Sequence, residues 1–133
     1  MTGMITAYLI RHGEIGRHRQ HRFIGQTDTP LTSSGREQLH RLAALLKPFS
    51  IEHYYCSPLQ RCQESCEILS RDGGRRAQVV PDFCEINLGS WEGLSVTEVQ
   101  ARFPGGYEAR GRNLAAFRPE GGESFLDLQQ RAW

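Results

Sequence analysis

An apolar run that ends on an arginine and a histidine constrains the fold of this chain more than any other feature. Residues 5–10 carry β-branched and aromatic side chains without a charge, and this pattern predicts a buried strand over residues 4–11. Arg11-His12-Gly13-Glu14 follows directly. Because ligands of open α/β sheets bind just beyond the carboxyl ends of strands, the sequence predicts a ligand site at this end of the run.

Short apolar runs alternate with helical patterns along the rest of the chain. The predicted strands are residues 4–11, 51–56 and 77–80, and the predicted helices are residues 32–47, 57–70, 96–103 and 125–133. Thr32 is the expected N-cap of the first helix and Pro48 its stop. This order predicts an α/β fold with a mostly parallel sheet, and a length of 133 residues predicts one domain over residues 1–133.

Composition excludes several classes of partner. A net charge of +1 argues against nucleic-acid binding by bulk electrostatics, and no run is long enough to cross a membrane. No signal-peptide pattern begins the chain, so a cytoplasmic location is expected. The four cysteines lack the spacing of a zinc site and are expected to be buried free thiols, and neither a metal nor a cofactor is predicted.

Several blocks of sequence, in one fixed order, resemble the histidine phosphatase superfamily, also called the phosphoglycerate mutase-like family. The blocks are Arg11-His12-Gly13-Glu14, residues 22–32, Gly35 with Gln38, residues 56–61, residues 85–93 and residues 121–125. The resemblance extends from residue 5 to the end of the chain. It implies a three-layer sandwich in which a mostly parallel central sheet has helices on both faces.

A phosphoryl-transfer site needs a nucleophile, fixed positive charge and a proton donor. His12 can attack phosphorus if its ring is neutral and its other nitrogen is held by a hydrogen bond, and the resemblance implies a phosphohistidine at this position. Arg11 and Arg61 can bind phosphate oxygens through planar, charge-assisted bonds. Glu85 is the expected general acid because the family's acid precedes a short turn that ends in glycine.

Two other carboxylates remain alternatives to Glu85 as the acid. These are Asp82 and Glu92, of which Glu92 is expected to pack as a structural loop residue. The resemblance implies that Gly25, Gln26 and Thr27 contact the phosphate and the substrate. His18 stands where the family often has a phosphate-binding asparagine, and its imidazole can still donate a hydrogen bond.

The resemblance also implies that the chain is incomplete at its C-terminus. Family members usually continue with another central strand that ends in a second His-Gly pair, whereas His12-Gly13 is the only such pair here. The domain is therefore expected to lack its usual C-terminal strand and helix. Loss of one donor to the transferring phosphoryl group costs about a hundred- to a thousand-fold in rate, so this chain is expected to be a poor catalyst or to self-associate.

The predicted function is that of a metal-independent phosphomonoesterase acting on a small phosphorylated metabolite. The stretch 22–31, with residues 107–111 and 119–124, looks most like members that act on α-ribazole 5′-phosphate in cobalamin biosynthesis. Two alternatives stay open: a phosphoglycerate mutase-type phosphotransferase and a non-catalytic fragment that binds phosphorylated ligands. A homodimer also stays open.

Overall fold

The computed structural model describes residues 3–16 and 21–133. The helices are α1 (Ser33–Leu46), α2 (Gln60–Ser70), α3 (Val96–Arg102), α4 (Gly106–Arg112) and α5 (Phe125–Ala132), and the strands are β1 (Tyr55–Cys56) and β2 (Gln78–Val79). The two strands are parallel, with Tyr55 opposite Gln78 and Cys56 opposite Val79, and α2 connects them. A helix-rich chain with a small parallel sheet agrees with the predicted α/β class.

Capping residues explain where most helices begin. Thr32 caps α1 as predicted, because its hydroxyl accepts a hydrogen bond from the Gly35 backbone N–H at 3.0 Å. The second helix begins at Gln60 instead of Ser57, since a residue that precedes proline is disfavoured in the helical conformation. Reciprocal Ser95–Glu98 and Ser124–Asp127 capping boxes begin α3 and α5.

The predicted strand over residues 4–11 is wrong for the described part of the chain. These residues have no regular secondary structure, and the side chains of Met4, Ile5 and Leu9 are 91–97% exposed. A β-branched run shows only that a segment suits a pleated, half-buried surface. It forms a strand only where another strand pairs with it, and no described strand does so here. For the same reason the predicted strands 51–56 and 77–80 shorten to two residues each.

Two apolar clusters hold the helices together. The first lies between α1 and α2 and contains Leu31, Leu39 and Ile68, with the partly buried Ile15 and Leu69 against it. The second surrounds Trp91, which is 2% exposed. The rings of Phe23, Phe103 and Phe117 lie 5.3, 6.4 and 5.0 Å from the Trp91 ring, between centroids. Such aromatic pairs contribute about 0.5–1.5 kcal/mol each beyond the area that they bury.

Two glycines let the segment after His12 lie against the first turn of α1. A Cβ on Gly13 would stand 2.5 Å from the Gly35 carbonyl oxygen, and a Cβ on Gly35 would collide with the backbone of Glu14. The backbone of Glu14 is held in place there, because its carbonyl accepts from the Thr32 N–H and its N–H donates to Gln38 Oε1, both at 2.9 Å. This contact accounts for the Gly35 and Gln38 positions of the sequence pattern.

We expect Gly35→Ala to lower the free energy of unfolding by about 1–3 kcal/mol, because the added methyl group forces the Glu14 backbone away from α1. Gly111→Ala is the matched control: Gly111 is in α4 and has open space around its Cβ position, so the change should be neutral or stabilising by up to about 1 kcal/mol. Urea unfolding followed by circular dichroism measures both. Equal effects of the two substitutions would contradict the close approach.

The exposed apolar segment 4–10 should promote self-association, because a run of exposed apolar side chains recruits other chains. We expect Ile5→Lys combined with Leu9→Lys to reduce concentration-dependent association in sedimentation velocity. Leu45→Lys is the control, since Leu45 is 72% exposed on α1, outside the segment. Association that is unchanged by the pair, or equally reduced by the control, would show that another surface is responsible.

Candidate active site

The ring of His12 is held in one tautomer. Its Nδ1 lies 2.8 Å from the carbonyl oxygen of Gly13. A carbonyl oxygen only accepts hydrogen bonds, so Nδ1 carries the proton and donates it. In the neutral ring, Nε2 then keeps its lone pair, which is the form that a nitrogen nucleophile requires.

The surroundings of His12 favour its neutral form. Burial lowers the pKa of the imidazole from its ordinary value of 6.5, and the positive charges of Arg61 and Arg11 lower this pKa further. The hydrogen bond to the Gly13 carbonyl and the negative charge of Glu85 act in the opposite direction but are outweighed. The fold therefore brings Arg11, Arg61 and Glu85 within electrostatic reach of His12.

A buried serine connects the backbone at His12 to α2. The hydroxyl of Ser65 accepts from the Gly13 N–H at 3.2 Å and donates to the carbonyl of Arg61 at 2.6 Å. Sequence reasoning missed Ser65, although its position one helical turn after Arg61 is a usable signal. This bridge fixes the spacing between the backbone at His12 and the helix that carries Arg61.

Arg61 is 1% exposed, and its guanidinium binds the loop at residues 25–27. Its Nη1 donates to the Thr27 carbonyl at 2.8 Å and its Nη2 to the Gly25 carbonyl at 2.7 Å. Its Nε has no hydrogen-bond partner among residues 3–16 and 21–133. A buried N–H without a partner costs roughly 1–3 kcal/mol, which makes this nitrogen a candidate donor to an anion beside His12.

Glu92 organises the loop at residues 25–27 from the other side. Its Oε1 accepts from the backbone N–H groups of Gly25 and Thr27, at 2.9 and 3.3 Å, and from the Thr27 hydroxyl at 2.7 Å. The N–H groups that were expected to contact phosphate thus point to a carboxylate in this structure. Gln26 lies closer to the predicted acid, since its Nε2 donates to the carbonyl of Glu85 at 2.9 Å.

Glu85 is half-buried, and its Oε1 accepts from the N–H of Ile86 at 2.8 Å. The alternatives are less suited to the role of acid. Asp82 is exposed on the turn Pro81–Phe83, and Glu92 is occupied by the loop. Of the three carboxylates, only the charge of Glu85 is among those that shift the pKa of His12, which it raises.

Sequence reasoning also missed Glu123 and Arg131, which bind the segment that carries Glu85. Arg131 Nη2 donates to the Glu85 carbonyl at 3.0 Å, and Glu123 Oε2 accepts from the N–H of Asn87 at 2.8 Å. Arg131 follows the Asp127 of the Ser124 capping box by one helical turn. That spacing places Arg131 in the last turn of α5, but it does not place the side chain against Glu85.

Several other expectations concern groups away from this cluster. His18 lies outside the described residues. All four cysteines are free thiols as predicted, but only Cys56 and Cys66 are buried, whereas Cys62 and Cys84 are half-buried. Burial raises the pKa of Cys66 to about 12. In the described part of the chain, no three His, Cys, Asp or Glu side chains are grouped so that they could hold a metal ion, and none of the helices is long and apolar enough to cross a membrane.

Residues 7–133 match the model of the histidine phosphatase superfamily (branch 1), and the chain belongs to this family, which confirms the resemblance. One relative is the adenosylcobalamin/alpha-ribazole phosphatase of Escherichia coli K12, with 31% identity over 124 residues, 93% of this chain and 61% of the relative. Another is the probable phosphoglycerate mutase GpmB of Escherichia fergusonii, with 31% identity over 132 residues, 96% of this chain and 60% of the relative.

The fold is similar to that of solved structures in the same family. A mycobacterial glucosyl-3-phosphoglycerate phosphatase complexed with VO3 superposes with a TM-score of 0.82 at 30% identity, over 91% of this chain and 60% of the other. This chain therefore spans about three fifths of the length of the relatives that it matches.

We expect NMR titration to give His12 a pKa below 6.5, and Arg11→Met to raise that pKa, because one positive neighbour is lost. Arg76→Met is the control, since Arg76 is exposed and its charge is not among those that shift His12. The folded pKa lies below the unfolded one, so the unfolded chain binds more protons between the two values. The contribution of His12 to stability should thus be complete above about pH 6.5 and decrease as the pH falls toward the folded pKa. A pKa above 6.5 would contradict the cationic environment.

Proposed function

We propose that this chain is a metal-independent phosphomonoesterase that acts on a small phosphorylated metabolite through a phosphohistidine at His12. One observation carries the proposal: the Nδ1 of His12 is bound to a backbone carbonyl, in surroundings that lower the pKa of the ring. A neutral imidazole with an unprotonated Nε2 and the positive charges of Arg11 and Arg61 nearby matches the needs of a phosphoryl-transfer site.

In the proposed first step, the lone pair of His12 Nε2 attacks phosphorus while the bond from phosphorus to the ester oxygen breaks. Glu85 gives its proton to the leaving oxygen, so that an alcohol departs. Arg11 and the Nε of Arg61 would bind the equatorial phosphate oxygens, whose charge they offset. Positive charge fixed in a partly buried site stabilises this charge better than mobile water does.

In the second step, the Glu85 carboxylate accepts a proton from water, and the oxygen of that water attacks phosphorus. The bond between phosphorus and Nε2 breaks, inorganic phosphate leaves, and His12 returns to its neutral form with Nδ1 still bound to Gly13. We propose substrate contacts for His18, Gly25, Gln26 and Thr27, of which Gly25 and Thr27 would have to exchange Glu92 for the substrate as the acceptor of their N–H groups. Of these, Gln26 already donates a hydrogen bond to the backbone carbonyl of Glu85, the proposed acid.

The relatives support a small phosphorylated metabolite as the substrate class. Their names include alpha-ribazole and glucosyl-3-phosphoglycerate phosphatases. We propose α-ribazole 5′-phosphate as the first substrate to test, with a cytoplasmic role in cobalamin biosynthesis. We further propose that residues 1–133 belong to one three-layer α/β domain with helices on both faces of its sheet.

A mutase is the second candidate, because another relative is a probable phosphoglycerate mutase. The two reactions share the phosphohistidine and differ in the acceptor: water for a phosphatase, a second hydroxyl for a mutase. Release of inorganic phosphate from 3-phosphoglycerate, without formation of 2-phosphoglycerate, would separate them. The third hypothesis is a non-catalytic fragment, which predicts affinity for phosphorylated ligands but no phosphohistidine.

The test is direct detection of the intermediate. The chain is mixed with p-nitrophenyl phosphate in the presence of EDTA, quenched in alkali and mapped by mass spectrometry, and we expect one phosphoryl group on His12. His12→Ala should abolish the labelling, whereas His40→Ala, which changes an exposed histidine of α1, should not. Labelling that requires a divalent ion, or that persists in His12→Ala, would contradict the proposal.

Glu85→Gln tests the proposed acid. It should slow phosphoryl transfer from an alkyl phosphate by about 10²–10⁴-fold but transfer from p-nitrophenyl phosphate much less, since an aryl oxide leaves without a proton. Rates are measured as the single-turnover appearance of phosphohistidine, which does not depend on efficient hydrolysis. An equal loss on both substrates would mean that Glu85 has another role.

A further inference from the structure

The side chain of Arg131 reaches from α5 to the segment that contains Glu85. Its Nη1 donates to the carbonyl of Asp82 at 2.6 Å, and its Nη2 donates to the carbonyl of Glu85 at 3.0 Å. One guanidinium thus binds two carbonyls that are three residues apart. Its planar, fixed donors suit this arrangement, because they are directed at separate acceptors without rotation of the group.

Glu123 holds both Arg131 and the other end of the same segment. Its Oε1 accepts from Arg131 Nε at 2.8 Å, and its Oε2 accepts from Arg131 Nη2 at 3.1 Å and from the N–H of Asn87 at 2.8 Å. The N–H of Glu123 also donates to the carbonyl of Asn87 at 2.7 Å. The backbone is therefore fixed at residues 82, 85 and 87, on both sides of the Glu85 side chain.

The ion pair within this network is well formed. The side chains of Arg131 and Glu123 are only 22% and 23% exposed, so water screens the pair less than it would at the surface. The hydrogen bonds of Arg131 lower the pKa of Glu123, and those of Glu123 raise the pKa of Arg131. Both groups accordingly keep their charges through the range in which a phosphatase would work.

The backbone in turn directs the Glu85 carboxyl. Its Oε1 is bonded to the N–H of Ile86, so the orientation of the carboxyl follows the orientation of the peptide between residues 85 and 86. The carbonyl of Glu85 receives two donors, Gln26 Nε2 at 2.9 Å and Arg131 Nη2 at 3.0 Å. Of these two, Arg131 is the charged donor and the one that is itself anchored by an ion pair.

We propose that Arg131, held by Glu123, is a positioning residue that fixes residues 82–87 and so aims the Glu85 carboxyl at the leaving oxygen. The inference rests on the proposed function in one respect, that Glu85 is the proton donor. Arg131 contacts no reacting atom in this scheme. Its effect should therefore appear only in the part of the reaction that needs a correctly placed proton.

The main experiment compares Arg131→Lys and Arg131→Met with Arg118→Met. Arg118 is the matched control, because it makes an ion pair with Asp127, which is on α5 like Arg131. Two hydrogen bonds, of 2.9 and 2.7 Å, form this pair, and Arg118 binds no residue of the segment 82–87. Single-turnover phosphorylation of His12 is measured with an alkyl phosphate and with p-nitrophenyl phosphate. We expect both Arg131 variants to lose about 10–100-fold on the alkyl substrate and at most a few-fold on the aryl substrate.

Lysine should restore part of the function, because one ammonium group keeps the ion pair with Glu123 but cannot also reach both carbonyls. The expected order on the alkyl substrate is therefore wild type, Arg131→Lys, Arg131→Met. The control should stay within about twofold of wild type on both substrates, as expected for an ion pair on an exposed surface. Equal losses on the two substrates in the Arg131 variants would overturn the proposal.

Amide hydrogen exchange gives a readout that does not require turnover. Exchange of the Asn87 N–H, which is bonded to Glu123, should accelerate in Arg131→Met, accelerate less in Arg131→Lys, and stay unchanged in Arg118→Met. Unchanged exchange in a folded Arg131→Met variant would also overturn the proposal. If Glu85→Gln shows no dependence on the leaving group, the proposed role of Glu85 fails and this inference fails with it. If Glu85→Gln shows that dependence and Arg131→Lys does not, only the positioning role fails.

Discussion

The buried guanidinium of Arg61 is the interaction on which the rest of this structure depends. It projects from α2, which packs on the apolar cluster around Leu39 between α1 and α2, and it binds two carbonyls of the loop at residues 25–27. That loop leads back to Phe23 and the Trp91 cluster. One cation therefore joins the two apolar clusters, and its removal would leave both carbonyls without their donor. An unsatisfied buried acceptor typically costs about 1–3 kcal/mol.

The same cation links stability to chemistry. Arg61 lies close enough to His12 to lower the pKa of the imidazole, and Glu92 holds the loop that Arg61 binds. A buried positive charge is costly unless it is hydrogen-bonded or paired. The loop carbonyls offset part of that cost, while one N–H of the guanidinium stays without a partner in the described chain. An anionic ligand beside His12 would supply the partner, so ligand binding should also stabilise the fold.

Sequence reasoning predicted what depends on local rules and missed what depends on distant partners. Thr32 as an N-cap, the bounds of α1 and the family followed from short patterns. The predicted strand over residues 4–11 did not form because a strand needs a second strand to pair with, and residue propensity carries no information about that partner. Helix α4 was not predicted, because it begins at Gly106 directly after Gly105, and glycine is a poor helix former. Arg131 was missed because the two backbone carbonyls that it binds, those of Asp82 and Glu85, lie more than 40 residues away in sequence.

The serine bridge at Gly13 has a consequence for how the candidate nucleophile is supported. Residues 3–11, the described part of the chain before His12, pair with no strand, so the position of the imidazole is set by helices instead of by a sheet. The hydroxyl of Ser65 binds the Gly13 N–H to α2. Gly35 has no side chain, which lets the backbone of Glu14 lie against α1. The backbone directly after His12 is therefore in contact with both helices. The Ser65 hydroxyl, which binds both the Gly13 N–H and the Arg61 carbonyl, sets the spacing between His12 and Arg61.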